Sequence, residues 1–340
     1  QVYHLGAGSG AKFGGHLDST AAFNTSAGTN GGWDTPTSTV LKFSNGSSSI
    51  NNLNQSGAEI IAYCFHDVTG YSKFGSYTSN ASTKITTGFQ PDFFIFKYIG
   101  GGDWYIQDAT QTEGAVGSHG GNLLKKYYVP NTSAAEDSVS TGGVEIMSDG
   151  FYPTNWFDTT NGVIYAAFKK NVPSNTTLAN SFKAITYTGN GNANRTITGV
   201  GFNADLLWIK ARSTSEQHYI YDKIRGPFNY LHPNLNSAQA TDTSTRLKEF
   251  NDDGFKIGNE LAVNQNGETF VAWAWKAGNT WQSNIDGSIS SITNTNTANG
   301  FSIVKYKGTG SVATIGHGLS AAPTFIIVKA LVATANSNWT

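Results

Sequence analysis

Hydrophobic residues in this chain fall into short runs of two kinds, and neither has the spacing of a helix. In the first kind apolar and polar positions alternate, as in Phe182-x-x-Ile185-x-Tyr187 and Thr196-Ile197-Thr198, the period-two pattern of a half-buried strand. In the second kind the run is apolar throughout: Phe93 to Phe96, Leu206 to Ile209 and Phe325 to Val328. Such runs fit interior strands with both faces covered. No segment keeps a 3.6-residue period for more than about two turns.

The punctuation between runs is that of hairpins. Asn45-Gly46, Asp149-Gly150 and Asp253-Gly254 each lie between short β-prone runs, and Asn161-Gly162 and Asn266-Gly267 mark a second set of turns. Asn-Gly and Asp-Gly are favoured where both central turn residues need positive φ. A strongly apolar run closes each set: Ile60 to His66, Val163 to Lys169, and Phe270 to Lys276. The pattern predicts a three-strand meander ending in the closing run.

These features recur. The opening run Phe182-Lys183-Ala184-Ile185-Thr186-Tyr187 matches Phe74 to Thr78 and Phe301 to Lys307, and the apolar runs end on Lys97, Lys210 and Lys329, 113 and then 119 positions apart. Val144 to Phe151 matches Thr245 to Phe255 and, more loosely, Val40 to Gly46. Two copies of this unit, 67–172 and 173–280, are complete. The third is divided between the ends: 1–66 supplies its C-terminal half, and 281–340 a linker and its N-terminal half. The seam Asn338-Trp339-Thr340 followed by Gln1-Val2-Tyr3-His4 restores the pattern of Trp104-Tyr105-Ile106 and His218-Tyr219-Ile220. The expected fold is therefore all-β, tandem repeats of antiparallel β-sandwich domains. The divided unit would be completed within the chain, by a partner subunit through strand addition, or by residues of a longer polypeptide. The only methionine is Met147, so Gln1 is not a translation start, and a processed chain or a slice of a longer one is expected. The segments 171–180 and 279–299, rich in Ser, Thr and Asn, read as surface connections.

Composition narrows the function. Charged residues are 13% of the chain and aromatic residues another 13%, with a net charge of −1. That balance gives no electrostatic footprint for nucleic acid, and no apolar run is long enough to insert in a membrane as a helix. The core must come from aromatic and β-branched side chains. The single cysteine, Cys64, sits in Ile60-Ile61-Ala62-Tyr63-Cys64-Phe65 as a small buried hydrophobe.

Catalytic constellations are not found. The seven histidines show no metal-binding spacing, and Asp252-Asp253-Gly254 lacks the alternating acids of a calcium loop, so it reads as a turn. Neither metal nor cofactor is expected. No Gly-x-Ser-x-Gly elbow or repeated carboxylate pair occurs, which argues against an enzyme. Asn-x-Ser/Thr sequons at Asn24, Asn80, Asn131 and Asn194 are what so Asn-, Ser- and Thr-rich a chain produces by chance. Among the tryptophans, Trp208, Trp273 and Trp275 lie in apolar strands and read as core, as do Trp104 and Trp339 at equivalent repeat positions. Trp33, Trp156 and Trp281 lie in polar surroundings and are the candidate ligand-binding residues, because a flat exposed indole matches the C–H face of a sugar.

Tyr-Thr-Gly-Asn-Gly (187–191), Asp-Leu-Leu-Trp-Ile-Lys (205–210), Tyr-Asp-Lys-Ile-Arg-Gly (221–226), Asp-Asp-Gly-Phe (252–255) and Val-Ala-Trp-Ala-Trp-Lys-Ala (271–277) together resemble tandem domains in virion proteins of marine tailed phages. Residues 181–279 follow the pattern closely; 67–172 and 1–66 depart from it, with Tyr-Ile-Gln-Asp in place of Tyr-Ile-Tyr-Asp and no Arg-Gly after it. The resemblance implies a concanavalin-like or jelly-roll-like sandwich and a non-enzymatic structural or adhesive protein of a virion fibre, appendage or surface decoration, located on the virion or outside the cell. Its expected partners are copies of itself or adjoining repeats of a longer chain, and a host surface glycan. The rival expectation is a secreted carbohydrate-binding module or glycanase on a β-sandwich.

Overall fold

A computed structural model describes residues 1–7, 14–23, 32–43, 53–78, 83–111, 114–154, 162–169 and 181–332. The fold is all-β, built from antiparallel β-sandwiches, and the one α-helix among the described residues is the single turn Leu261–Asn264.

Three inner sheets share one strand order. In what we term unit II, the edge strand Trp104–Asp108 pairs with the lysine-ended strand Phe93–Tyr98, then the closing strand Val163–Phe168, then the opening strand Ser72–Tyr77. Unit III repeats this with Tyr219–Asp222, Leu206–Ala211, Thr269–Trp275 and Phe182–Thr188. Unit I draws on both ends of the chain: Val2–His4 pairs with Phe325–Ala330, which pairs with Glu59–Phe65, which pairs with Phe301–Lys307. The two halves thus complete each other within one chain. Among the described residues, unit I alone then adds two strands, Ser291–Asn296 and Gln282–Asn284.

The apolar closing strands explain the arrangement. Strand side chains alternate between faces, so a strand buried along its whole length must lie between two cores. One face of every inner sheet enters a core shared by all three units, with Tyr63, Phe65 and Phe325 from unit I, Phe93, Ile95 and Phe168 from unit II, and Trp208, Trp273 and Trp275 from unit III. There Phe93 lies 5.1–5.7 Å, centroid to centroid, from Phe182, Trp273 and Trp275. The opposite faces pack on separate cores beneath smaller outer sheets, for example Leu207, Ile209, Ala272 and Ala274 against Ile197, Phe255 and Ile257 in unit III.

The units are also linked by a cyclic set of polar contacts. His4, Asp108 and Asp222 hold the same register position, opposite Phe325, Phe93 and Leu206. Asp108 of unit II accepts from Trp273 Nε1 of unit III at 2.9 Å. Asp222 of unit III accepts from the Tyr63 hydroxyl of unit I at 2.6 Å. Trp273 and Tyr63 are themselves equivalent, but unit II has Ala166 there; with no polar side chain to meet, His4 Nε2 bonds the adjacent Tyr165 carbonyl at 3.0 Å. Contacts therefore run I to II, II to III and III to I.

Backbone arms follow the same direction. Gly15, Tyr128 and Leu231 bridge to Val2, Ile106 and Ile220 of their own units. Eight residues further on, each arm reaches its neighbour: Phe23 N donates to Ile99 O, Glu136 N to Arg212 O, and Gln239 N to Leu331 O, at 2.9, 2.7 and 3.1 Å. The buried lysines lie beside these arms, Lys97 Nζ donating to Thr20 O and Lys210 Nζ to Ser133 O. Burial pulls Lys97, Lys210 and Lys329 down to about 8.

Several expectations change. The second half of each unit is not a three-strand meander: after the outer hairpin the chain crosses to the inner sheet, because the closing strand needs a core on both faces. In the hairpins at 253–254 and 149–150 the glycine is a strand residue rather than a central turn residue, paired with Asn251 or Met147. Glycine is required there by close approach, since a Cβ on Gly254 would meet Ile197 O at 1.9 Å and one on Gly150 would meet Ile85 O at 2.2 Å. Gly57, Gly162 and Gly267, before the closing strands, do have positive φ of 76–82°. The residue equivalent to Phe182 is Ser72, not Phe74. Val40–Phe43 pairs with Ala313–Gly316 as Gly254–Ile257 pairs with Arg195–Thr198, so it corresponds to the strand after the outer turn and not before it. The proposed turn at Asn45-Gly46, the connection 171–180 and the seam residue Trp339 lie outside the described residues. The 279–299 segment is not simply a surface connection: its Ser-Ile-Thr-Asn-Thr-Asn run, rich in β-branched residues, is a strand.

Candidate functional site

The three tryptophans singled out for ligand binding do not come together. Trp33 is fully buried, with Tyr3 and Phe43 rings each 5.5 Å away; it belongs to the unit I core and has no free face for a sugar. Its polar sequence neighbours gave a misleading signal because it sits on a strand of only two residues, Trp33–Asp34. Trp156 lies outside the described residues. Trp281 is half-buried against the shared core. Trp208, Trp273, Trp275 and Trp104 are buried as expected.

Trp281 does begin the segment that builds a different site. Gln282–Asn284 pairs with Ser291–Asn296, with Gln282 opposite Thr293 and Asn284 opposite Ser291. Alternation sends the two faces of this hairpin to different surroundings. One face docks on unit III: Asn294 Nδ2 donates to Asp205 Oδ1 at 3.3 Å, Asn296 Nδ2 to Ala277 O at 3.4 Å, and nearby Asn299 Nδ2 to Lys276 O at 3.2 Å. Asp205 is buried and paired with Lys276 and Lys223 at 3.0 and 3.3 Å. Burial outweighs that carboxylate and lowers the Lys223 pKa.

The other face opens as a polar groove of about 280 Å³, lined by Thr280, Gln282, Asn284, Asp286, Thr293 and Thr295, together with Ser283 and Gly318. Asn284 and Asp286 lock each other, Asn284 Nδ2 donating to Asp286 Oδ2 and Asp286 N donating to Asn284 Oδ1, both at 3.0 Å. Gly318 forms part of the far wall, and Gly316, two residues before it, packs against Asn284. A Cβ on Gly316 would fall 1.6 Å from Asn284 Oδ1, and one on Gly318, whose φ is +74°, would fall 2.6 Å from Thr295 Oγ1. His317 fixes the wall from behind, accepting from Leu319 N at Nδ1 and bonding Thr37 O through Nε2, at 3.1 and 3.0 Å. Burial lowers its pKa to about 4, so the ring is neutral at pH 7. Among the described residues the groove has no counterpart in units II and III, whose inner sheets there stop at the opening strand.

Elsewhere, Glu145 is a buried carboxylate accepting from the backbone N–H of His119 and Gly121, and from His119 Nδ1 at 2.9 Å. The His119 ring stacks on Tyr152 at 3.8 Å. This holds the loop in place. Ser118 Oγ lies 3.2 Å from the same His119 Nδ1, so hydroxyl and carboxylate share one ring nitrogen instead of flanking the imidazole as in a catalytic triad. No group of three or more His, Cys, Asp or Glu side chains converges among the described residues, and no helix among them is long and apolar enough to cross a membrane.

The signal for the groove was present in the sequence as Gly-His-Gly at 316–318 and the alternating Thr293-x-Thr295. It was masked by the linker-like composition around it. A family model described as a domain of unknown function (DUF7483) matches residues 1–171 and 178–340. No curated protein matches the chain.

Proposed function

The chain belongs to the DUF7483 family, and we propose that it is a non-enzymatic structural and adhesive module of a virion fibre, appendage or surface decoration that contacts host glycans. The observation that carries this reading is the pairing of a cyclically braced three-unit body with an open polar groove on unit I. A body in which each unit grips the next by an arm and a buried polar contact suits a load-transmitting part exposed outside a cell. The groove contains one carboxylate, Asp286, whereas glycoside hydrolysis ordinarily needs two flanking the bond. Hydroxyl and amide side chains both donate and accept hydrogen bonds, which matches a sugar. The resemblance of the 187–277 motifs to phage virion domains points the same way.

Labelling of purified particles with an antibody to this chain, viewed by electron microscopy, tests the assignment. The expected result is regular decoration of a fibre or surface. Particles without the protein would overturn it, and release of reducing ends from a polysaccharide would overturn the non-enzymatic part.

A further inference from the structure

Resting on that adhesive reading, we propose that the unit I groove takes an uncharged sugar residue of a glycan and discriminates against sulfated or carboxylated ones. No Lys or Arg lines the groove, and its one charged group is the Asp286 carboxylate. An anionic substituent would sit there beside a like charge, with no cationic side chain in the lining to pair it. A neutral sugar instead offers hydroxyl donors to the carboxylate, and charge-assisted bonds of that kind are the stronger ones. The volume of about 280 Å³ lies just below the roughly 300–1,000 Å³ of pockets that enclose drug-sized ligands, so the groove holds a small part of a glycan at a time.

A cation is the competing occupant, and the donor set argues against it. Calcium takes 6–8 oxygens, usually with several carboxylates. Here one Asp286 oxygen already accepts from Asn284, and Asn284 Oδ1 is itself bonded to Asp286 N. Gly318 on the far wall and Gly316 packed on Asn284 set the width. Neither Gly316 nor Gly318 can carry a side chain without displacing Asn284 or Thr295.

The test titrates the full chain, by calorimetry, with neutral hexasaccharides of glucose, galactose and mannose and with their sulfated counterparts. At least one neutral hexasaccharide should bind, and its sulfated form should bind at least tenfold more weakly. Asp286→Asn and Gln282→Ala, both at exposed positions, should each weaken binding at least fivefold with an unchanged unfolding midpoint. Preference for the sulfated form, or neutral binding that survives both variants, would overturn the groove assignment and leave glycan adhesion standing. Failure of every hexasaccharide to bind would overturn both the groove assignment and the glycan contact, while particle labelling separately decides the virion assignment.

Discussion

Removing the charge of Asp222 should loosen the whole body rather than unit III alone. This carboxylate is completely buried and accepts from Arg225 Nε at 2.5 Å, Arg225 N at 3.0 Å and the unit I Tyr63 hydroxyl at 2.6 Å. Burial and the adjoining carboxylate keep the Tyr63 pKa well above the ordinary tyrosine range, so its hydroxyl is a donor at neutral pH. Asp222→Asn preserves shape but leaves a buried guanidinium without a counter-ion, a change that costs about 3–5 kcal/mol. Tyr63→Phe removes one hydrogen bond to a charged acceptor, about 1.5–3 kcal/mol. Because both changes strike one contact, the double variant should fall short of their sum by about 0.5–3 kcal/mol. Guanidinium unfolding followed by tryptophan fluorescence and by circular dichroism measures all three, and the two probes should give one coincident transition. A loss below about 1 kcal/mol for Asp222→Asn, or additivity within about 0.5 kcal/mol, would refute the idea that this contact couples units I and III.

Acid should weaken the fold before its carboxylates titrate. Burial lowers the pKa of His4, His16 and His317 to about 4 against about 6.5 unfolded, so the unfolded chain binds more protons between those values. The stability they contribute is complete above about pH 6.5 and is lost as pH falls toward 4, amounting to about 2 kcal/mol per histidine between pH 7 and pH 5; an unfolding midpoint unchanged over that interval would contradict it. Gly254→Ala should be far more damaging than Gly267→Ala. The first places a Cβ 1.9 Å from Ile197 O, while the second, at φ +82°, meets no atom within 4 Å and costs only the left-handed penalty of about 1–2 kcal/mol. Equal thermal shifts for the two would remove the distinction between the two classes of glycine.

Legibility in the sequence followed the physics of each element. The inner sheets were readable because a strand buried on both faces leaves a continuous apolar run, and three such runs ending in Lys97, Lys210 and Lys329 exposed the repeat. The arms were not readable. They act through backbone groups, so the equivalent positions Phe23, Glu136 and Gln239 share no chemistry. Ala166 hid the cyclic polar link in unit II, because a carbonyl there serves as the hydroxyl of Tyr63 or the indole of Trp273 does elsewhere. Trp33 misled because on a strand of two residues the polar flanks say little about the side chain between them, and the groove was hidden because a Thr- and Asn-rich strand has the composition of a linker.

The central claim is that the two ends of one chain complete unit I, and Cys64 reports on it directly. This single cysteine lies on the Glu59–Phe65 strand, buried, with Ser302 opposite on one side and Ile326 on the other, and burial pushes its thiol pKa up. The measurement is the rate of Cys64 alkylation by iodoacetamide in native buffer across a hundredfold dilution series. The account predicts labelling no faster than global unfolding and the same rate at every protein concentration. Rapid labelling, or a rate that rises on dilution, would contradict it, showing that residues 301–330 do not cover this strand from within the same chain.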